Sequence, residues 1–379
     1  MKKIIIYYSF PIIPTAGGIE RISCVLGDWL KSKGLCVYYL SDTFTDDKII
    51  LKNNGVGLSN SENKKCLEDF IKKEKIDFII NQASTLRASE PLLLLERGNT
   101  KLISVIHNSL YGMFSYPDWN VWNKTLQKIV DSNLMQWLAR KFFYFKYHNF
   151  LRLMASRSDV VVLLSESYKY EIKYFTGFEH NNLIAIGNPL TLPLDKAEYK
   201  KNKEIIFLGR LSWQKRPDIM LNIWENTVEH IPDWSLRFVG DGPMYSLLQK
   251  KIQQKHIPNV YLEGQKKPIE FLKKASILCM TSCYEGFPLV LFEAMNYGVV
   301  PIAFNSFSAL EDIVDDRENG YIIPMGNNDM YMQKLIELID DEQLRKEMSI
   351  KCQRKASENT CDTIGIKWLE LFDKISNKF

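Results

Sequence analysis

A chain of 379 residues is long enough for two domains of ordinary size, and 46% hydrophobic residues supply their cores, which excludes an intrinsically disordered protein. The formal net charge of +4 is too small to argue for nucleic acid as a partner. Cys24, Cys36, Cys66, Cys279, Cys283, Cys352 and Cys361 are odd in number, form no C-x-x-C pair and fall partly in apolar runs; with five scattered histidines they read as buried free thiols in a reducing cytoplasm, not as a zinc site.

Residues 1–6 imitate a signal peptide, with two lysines and then isoleucines, but Tyr7, Tyr8, Ser9 and Pro11 interrupt the run. No long apolar stretch follows, so no transmembrane helix is expected. Residues 3–9 read as the first strand of a parallel sheet. The loop after it contains Gly17 and Gly18, where a ligand can approach the backbone at a helix start. A plain strand-to-helix turn explains the pair equally well, and it is not the G-x-G-x-x-G dinucleotide fingerprint. Ile22, Val25, Leu26, Trp29 and Leu30 then recur at helical spacing up to Gly34. Further buried strands are expected at 37–40, 77–80 and 102–106. His107 directly follows the last of these, where ligands bind in open α/β sheets. The plain alternative is a loop histidine bonded to local backbone.

Residues 111–157 are rich in Trp, Tyr and Phe and then in cations, including Trp137, Arg140, Lys141, Phe142, Phe145, Lys146 and Arg157. Three readings fit the stretch: a basic aromatic helix on an anionic membrane surface, a site for an acceptor pyrophosphate, or a core-facing helix with a solvated basic face. Strands at 159–164 and 184–186 follow, the first ending at Ser165 and the second leading to Asn188-Pro189.

Residues 189–203 form a polar, lysine-rich linker. A strand at 204–208 opens the second half and runs into Gly209-Arg210-Leu211-Ser212-Trp213-Gln214-Lys215-Arg216-Pro217. Arg210 and Lys215 can reach one diphosphate from this loop, the arginine bidentately and the lysine as a point charge, and Arg216 adds a third cation nearby. Strands at 236–239 and 260–262 follow, the second preceding Gly264 and Gln265. No internal repeat of solenoid period occurs.

Residues 277–280 read as a buried strand and 284–287 as a loop. Pro288 fits the first position of a helix running to about Tyr297 and stopping at Gly298, with another strand at 299–304. The free N–H groups of Leu289 and Val290 make that helix start an anion site. Glu285 and Glu293 flank it, and a carboxylate is a hydroxyl acceptor rather than a phosphate ligand. A ligand carrying both phosphate and hydroxyls, such as a nucleotide-sugar, fits the combination. Helices are expected at 329–340, 342–357 and 360–376.

The block Glu285-Gly286-Phe287-Pro288-Leu289-Val290-Leu291-Phe292-Glu293 resembles the E-x7-E signature of retaining glycosyltransferases of family four, and the resemblance extends over nearly the whole chain. It implies an α/β GT-B fold, with two Rossmann-like domains facing an interdomain cleft. Residues 1–188 would form the acceptor-binding domain and 204–358 the nucleotide-sugar-binding domain, with 359–379 a helix crossing back to the first. It implies catalytic roles for Glu285, His107, Arg210 and Lys215. Substrate contacts are implied for Gly17, Gly18, Asn188, Gln265, Gly286, Phe287, Pro288, Leu289, Val290 and Glu293. Ser165 resembles the family's serine at the cleft. The family often has glycine where this chain has Arg216. No D-x-D occurs, so no metal is expected and protein cations replace one. No cofactor is expected beyond a UDP-sugar or GDP-sugar donor substrate. The expected activity is transfer of a hexosyl or acetamidohexosyl group to a glycan or polyprenyl-diphosphate-linked acceptor, in bacterial capsule, exopolysaccharide or lipopolysaccharide assembly. It would take place in the cytoplasm or peripherally on the inner membrane. The alternatives are a non-catalytic nucleotide-sugar-binding protein and another GT-B enzyme, such as an epimerase.

Overall fold

The computed structural model describes residues 1–42, 57–116, 132–195 and 200–377. Part of the aromatic stretch, 117–131, and part of the linker, 196–199, lie outside the described residues. The chain divides into two compact units. One takes in Met1–Leu110, Arg140–Thr191 and Thr360–Phe379; the other takes in Tyr111–Ala139 and Leu192–Asn359.

In the first unit β1 (Lys3–Tyr7), β2 (Cys36–Leu40), β3 (Phe78–Asn81), β4 (Lys101–Ile106), β5 (Val160–Leu163) and β6 (Leu183–Ala185) form one sheet. Their order is β2-β1-β3-β4-β5-β6, and every pair is parallel. The sequence reason is visible in β1, where Ile4, Ile5, Ile6 and Tyr7 are all buried. A strand apolar on both faces suits a sheet covered on both sides. The helix Gly18–Ser32 returns from β1 to β2 and buries the stripe Ile22, Leu26, Trp29 and Leu30. The last helix, Cys361–Ser376, packs on it. Trp29 Nε1 donates to Asp362 Oδ1 at 2.8 Å. A Cβ on Gly365 would lie 2.5 Å from the Trp29 ring, so glycine is what permits this approach.

The second unit repeats the plan. Its strands are β7 (Glu204–Leu208), β8 (Ser235–Val239), β9 (Val260–Gly264), β10 (Ile277–Met280), β11 (Val300–Asn305) and β12 (Tyr321–Pro324). They form a parallel sheet ordered β12-β11-β10-β7-β8-β9. Ile205, Phe207, Trp224, Phe238, Ile277, Ile302 and Tyr331 fill its core. The Tyr331 hydroxyl donates to the Ile302 carbonyl at 2.8 Å, so the ring is buried without an orphaned polar atom.

Strand order positions the site. From β7 the chain winds outward through β8 and β9, then returns to β10 on the other side of β7. The loops leaving β7 and β10 therefore part at their carboxyl ends, and such a switch point is where an open parallel sheet binds ligands. The first sheet has its own switch point between β1 and β3.

Candidate functional site

Because β7 and β10 are neighbours, with Ile205 opposite Ile277, their outgoing loops run side by side. Backbone and side-chain bonds stitch them together. Cys283 N donates to Gln214 O at 2.7 Å, Gln214 Nε2 to Tyr284 O at 3.1 Å, and Thr281 Oγ1 to Arg216 O at 2.8 Å. Between the loops Lys215 Nζ donates to Glu285 Oε1 at 2.6 Å. The Glu285 side chain is only 8% exposed and Lys215 20%, so this charge pair sits at the edge of solvent with its carboxylate inside.

The loop's other cations divide. Arg210 is exposed at the end of β7. Arg216, the third cation close to Arg210 and Lys215 in sequence, is held inside the loop. Its φ is +51°, the left-handed region that glycine enters at no steric cost, and it caps the helix Pro217–Thr227. Its guanidinium is buried, bonded to the Asp218 carboxylate at 3.2 and 3.3 Å and 3.9 Å from Cys283 Sγ. Of the loop's cations, Arg210 alone is exposed, and Lys215 lies against Glu285.

The carboxyl end of β10 turns into the helix Leu289–Asn296. Pro288 was expected at the first helical position and stands one residue earlier. Its ψ of 115° is extended, so it is the N-cap. Leu291 N reaches Pro288 O at 3.2 Å. The N–H groups of Leu289 and Val290 precede the first intrahelical bonds and carry the positive end of the helix dipole. Glu293, one turn in, is buried at 3% exposure. Phe287 packs on Phe292 with ring centroids 5.7 Å apart, which shapes the loop around the buried Gly286. The Tyr284 ring stacks on Tyr116 of the same unit, at 6.4 Å. Ser282 Oγ is buried with no hydrogen-bond partner among the described residues, and a bound polar group would satisfy it.

The ends of β8 and β9 brace the same loop. Gly240 N donates to Gly264 O at 2.8 Å, and a Cβ on Gly240, whose φ is +144°, would fall 2.0 Å from Gly209 O. Gln265 is exposed just beyond Gly264.

The remaining candidates belong to the first unit. His107 follows β4 and is 9% exposed. Its Nε2 lies 2.5 Å from Oε1 of Gln82, which follows the neighbouring strand β3. Burial pushes the imidazole pKa down to about 4, so the ring is neutral near pH 7. Gln82 was missed from sequence, although the rule that singled out His107 points to it too: both directly follow a strand's carboxyl end. Gly17 caps the helix Gly18–Ser32. A Cβ on Gly17 would meet the Glu20 carboxylate at 2.5 Å. A carboxylate already faces this helix start, which favours a hydroxyl-bearing ligand there over a phosphate. Asn188 is buried beyond β6, and Ser165 Oγ lies 2.7 Å from Ser167 Oγ. Among the described residues no group of three or more His, Cys, Asp or Glu is placed to hold a metal ion, and no helix is long and apolar enough to cross a membrane.

Residues 192–355, which hold all the candidates of the second unit, match the family model of glycosyl transferases group 1. The chain is 30% identical over 226 residues to the amylovoran biosynthesis glycosyltransferase AmsD of Erwinia amylovora. That match takes in 57% of this chain and 62% of the relative, so it spans less than two thirds of it. An uncharacterized glycosyltransferase of Haemophilus influenzae is 27% identical over 370 residues, covering 94% of this chain and 96% of the relative. Among solved structures, Anabaena Alr3699/HepE in complex with UDP superposes with a TM-score of 0.72 at 14% identity, over 99% of this chain and 100% of that one. Two parallel six-stranded α/β units with these structural neighbours make the fold GT-B.

Proposed function

We propose that this protein is a retaining glycosyltransferase. It would move a hexosyl or acetamidohexosyl group from a nucleotide-diphosphate-sugar to a glycan or polyprenyl-diphosphate-linked acceptor, in bacterial polysaccharide assembly at the cytoplasmic face of the inner membrane. The observation that carries the reading is the Lys215–Glu285 pair at the β7/β10 switch point, beside the start of the helix Leu289–Asn296. The pair offers a cation to a leaving diphosphate and a carboxylate to sugar hydroxyls from one place. Arg210, Lys215 and the amides of Leu289 and Val290 stabilise the negative charge that builds on the departing nucleotide, which is electrostatic catalysis of leaving-group loss. These protein groups stand where other enzymes use a divalent metal. Glu293 accepts from ribose hydroxyls and Glu285 orients the transferred sugar. In the first unit, the neutral His107 and the Gly17–Gly18 turn handle the hydroxyl-bearing acceptor. The match to the group 1 glycosyl transferases and the similarity to AmsD, named for amylovoran biosynthesis, support this reading. So does the UDP bound by the Anabaena neighbour.

Thermal shift against UDP-, GDP- and ADP-sugars, with and without EDTA, tests it. One donor class should raise the melting temperature equally in both conditions. Stabilisation that disappears with EDTA would remove the metal-free assignment. No response to any donor would sink the nucleotide-sugar reading.

A further inference from the structure

The first unit holds three side chains after β1 that the proposed reaction leaves unassigned: Tyr8, Phe10 and Glu20. The apolar sequence of β1 runs on past the strand end, and there it emerges from the core, with Phe10 56% exposed. The ring is held in place all the same. Tyr8, itself 8% exposed, meets it edge-on with centroids 5.6 Å apart, and Pro11 stiffens the backbone beside it. The Tyr8 hydroxyl has no hydrogen-bond partner among the described residues. Burial, and then the nearby Glu20 carboxylate, push its pKa up to about 12, so it keeps its proton and can donate. Glu20 lies in the first turn of the helix Gly18–Ser32 and makes no hydrogen bond or ion pair among the described residues. Gln82 N donates to Tyr7 O at 2.8 Å, which sets the end of β3 beside this loop. Tyr8, Gln82 and His107 thus directly follow three adjacent strands, β1, β3 and β4. Taken singly, a glutamate in a first turn suits the helix dipole, and one exposed phenylalanine needs no explanation. A nine-tenths-buried hydroxyl that packs on one, feels the charge of the other and has no partner does need one.

We propose that Tyr8, Phe10 and Glu20 form an acceptor subsite for a sugar ring. The face of Phe10 packs on the C–H groups of one side of the pyranose, Glu20 accepts from its hydroxyls, and the Tyr8 hydroxyl donates to one of its oxygens. The inference rests on the glycosyl-transfer reading and narrows its acceptor: the group held here is an uncharged sugar at the end of a glycan, not the diphosphate of a carrier lipid. A diphosphate would face the Glu20 carboxylate, and residues 8–20 contain no lysine or arginine to offset the repulsion. A lipid chain would suit Phe10 but would desolvate Glu20 and Tyr8 without giving them partners.

The test is saturation-transfer NMR on the full chain with the α and β methyl glycosides of glucose, galactose, mannose and their N-acetylated amino forms. At least one should bind the wild type, with transfer concentrated on the C–H groups of one ring face. Phe10→Ala and Glu20→Gln should each weaken that binding by on the order of tenfold. Phe10→Trp, which keeps an aromatic face, should retain it. Tyr8→Phe deletes one oxygen and keeps the packing, so the severalfold weakening expected of it cannot come from a collapsed loop. All four variants should keep the melting-temperature shift induced by the nucleotide-sugar, whose ligands lie in the second unit. That shift separates the two readings. A wild type that responds to a donor but takes no glycoside overturns the subsite alone; one that takes a glycoside but responds to no donor overturns the donor reading alone. Glycoside binding unchanged in Phe10→Ala and Glu20→Gln would also overturn the proposal, and so would binding of geranyl diphosphate that Phe10→Ala abolishes.

Discussion

In the second unit Lys215 and Glu285 meet at the carboxyl ends of the adjacent strands β7 and β10, as a full charge pair with the carboxylate buried. In the first unit His107 and Gln82 meet at the ends of β4 and β3, one strand over from that sheet's β1/β3 switch point, and both are neutral near pH 7. The backbone plan is the same, and the difference lies in what each loop desolvates. A lysine and a glutamate can be brought half out of water because each compensates the other. The histidine's partner is an amide, and burial removes its proton instead. One pair of loop ends presents charge and the other neutral hydrogen-bonding groups.

Three experiments can break or sharpen that contrast. Lys215→Ala should lower turnover by a hundredfold to about a thousandfold, the usual cost of losing one electrostatic contact to a developing anion. His107→Asn should cost clearly less, and equal losses in steady-state kinetics would erase the distinction between the two regions. The second concerns pH. The folded pKa of His107 is depressed to about 4 from an ordinary 6.5, so the unfolded chain takes up this proton first. The stability tied to the neutral ring is therefore fully present above about pH 6.5 and is lost as pH falls toward 4. The loss is on the order of 3 kcal/mol. Urea unfolding across that range should show this acid sensitivity in the wild type and a flatter profile in His107→Asn; parallel profiles would mean that the ring is not held neutral. The smallest effect concerns Arg216. At φ +51° a Cβ is strained and glycine is not, so Arg216→Ala should be less stable than Arg216→Gly by about 1 kcal/mol, although both lose the bond to Asp218. The reverse order in denaturant midpoints would show that the left-handed turn is not what constrains this loop.

Much of this was legible in the amino-acid order. Unbroken apolar runs such as Ile4–Ile6 and 277–280 marked buried parallel strands, and most strands lie within a residue or two of the expected ends. The sequence placed Glu285 and Glu293 around the helix start and Lys215 in a loop after a strand, because strand, turn and helix signals are local. Pro288 was misplaced by one residue, since a proline suits both the cap and the first turn and only its ψ separates the two. Sequence puts Arg216 beside Arg210 and Lys215 as a third cation; its backbone angle and Asp218, two residues on, decide that it is buried.

By itself, then, the sequence determined the strand-and-helix alternation and the loops that follow the strands, since hydrophobic period and turn chemistry act over a few neighbours. Tertiary structure alone decided the partners. Lys215 and Glu285 are 70 positions apart, and His107 and Gln82 are 25 apart. Nothing in either local pattern tells which strands will lie side by side. Parallel strands are paired through long crossovers, and it is their order in the sheet that sets which loops share a carboxyl end.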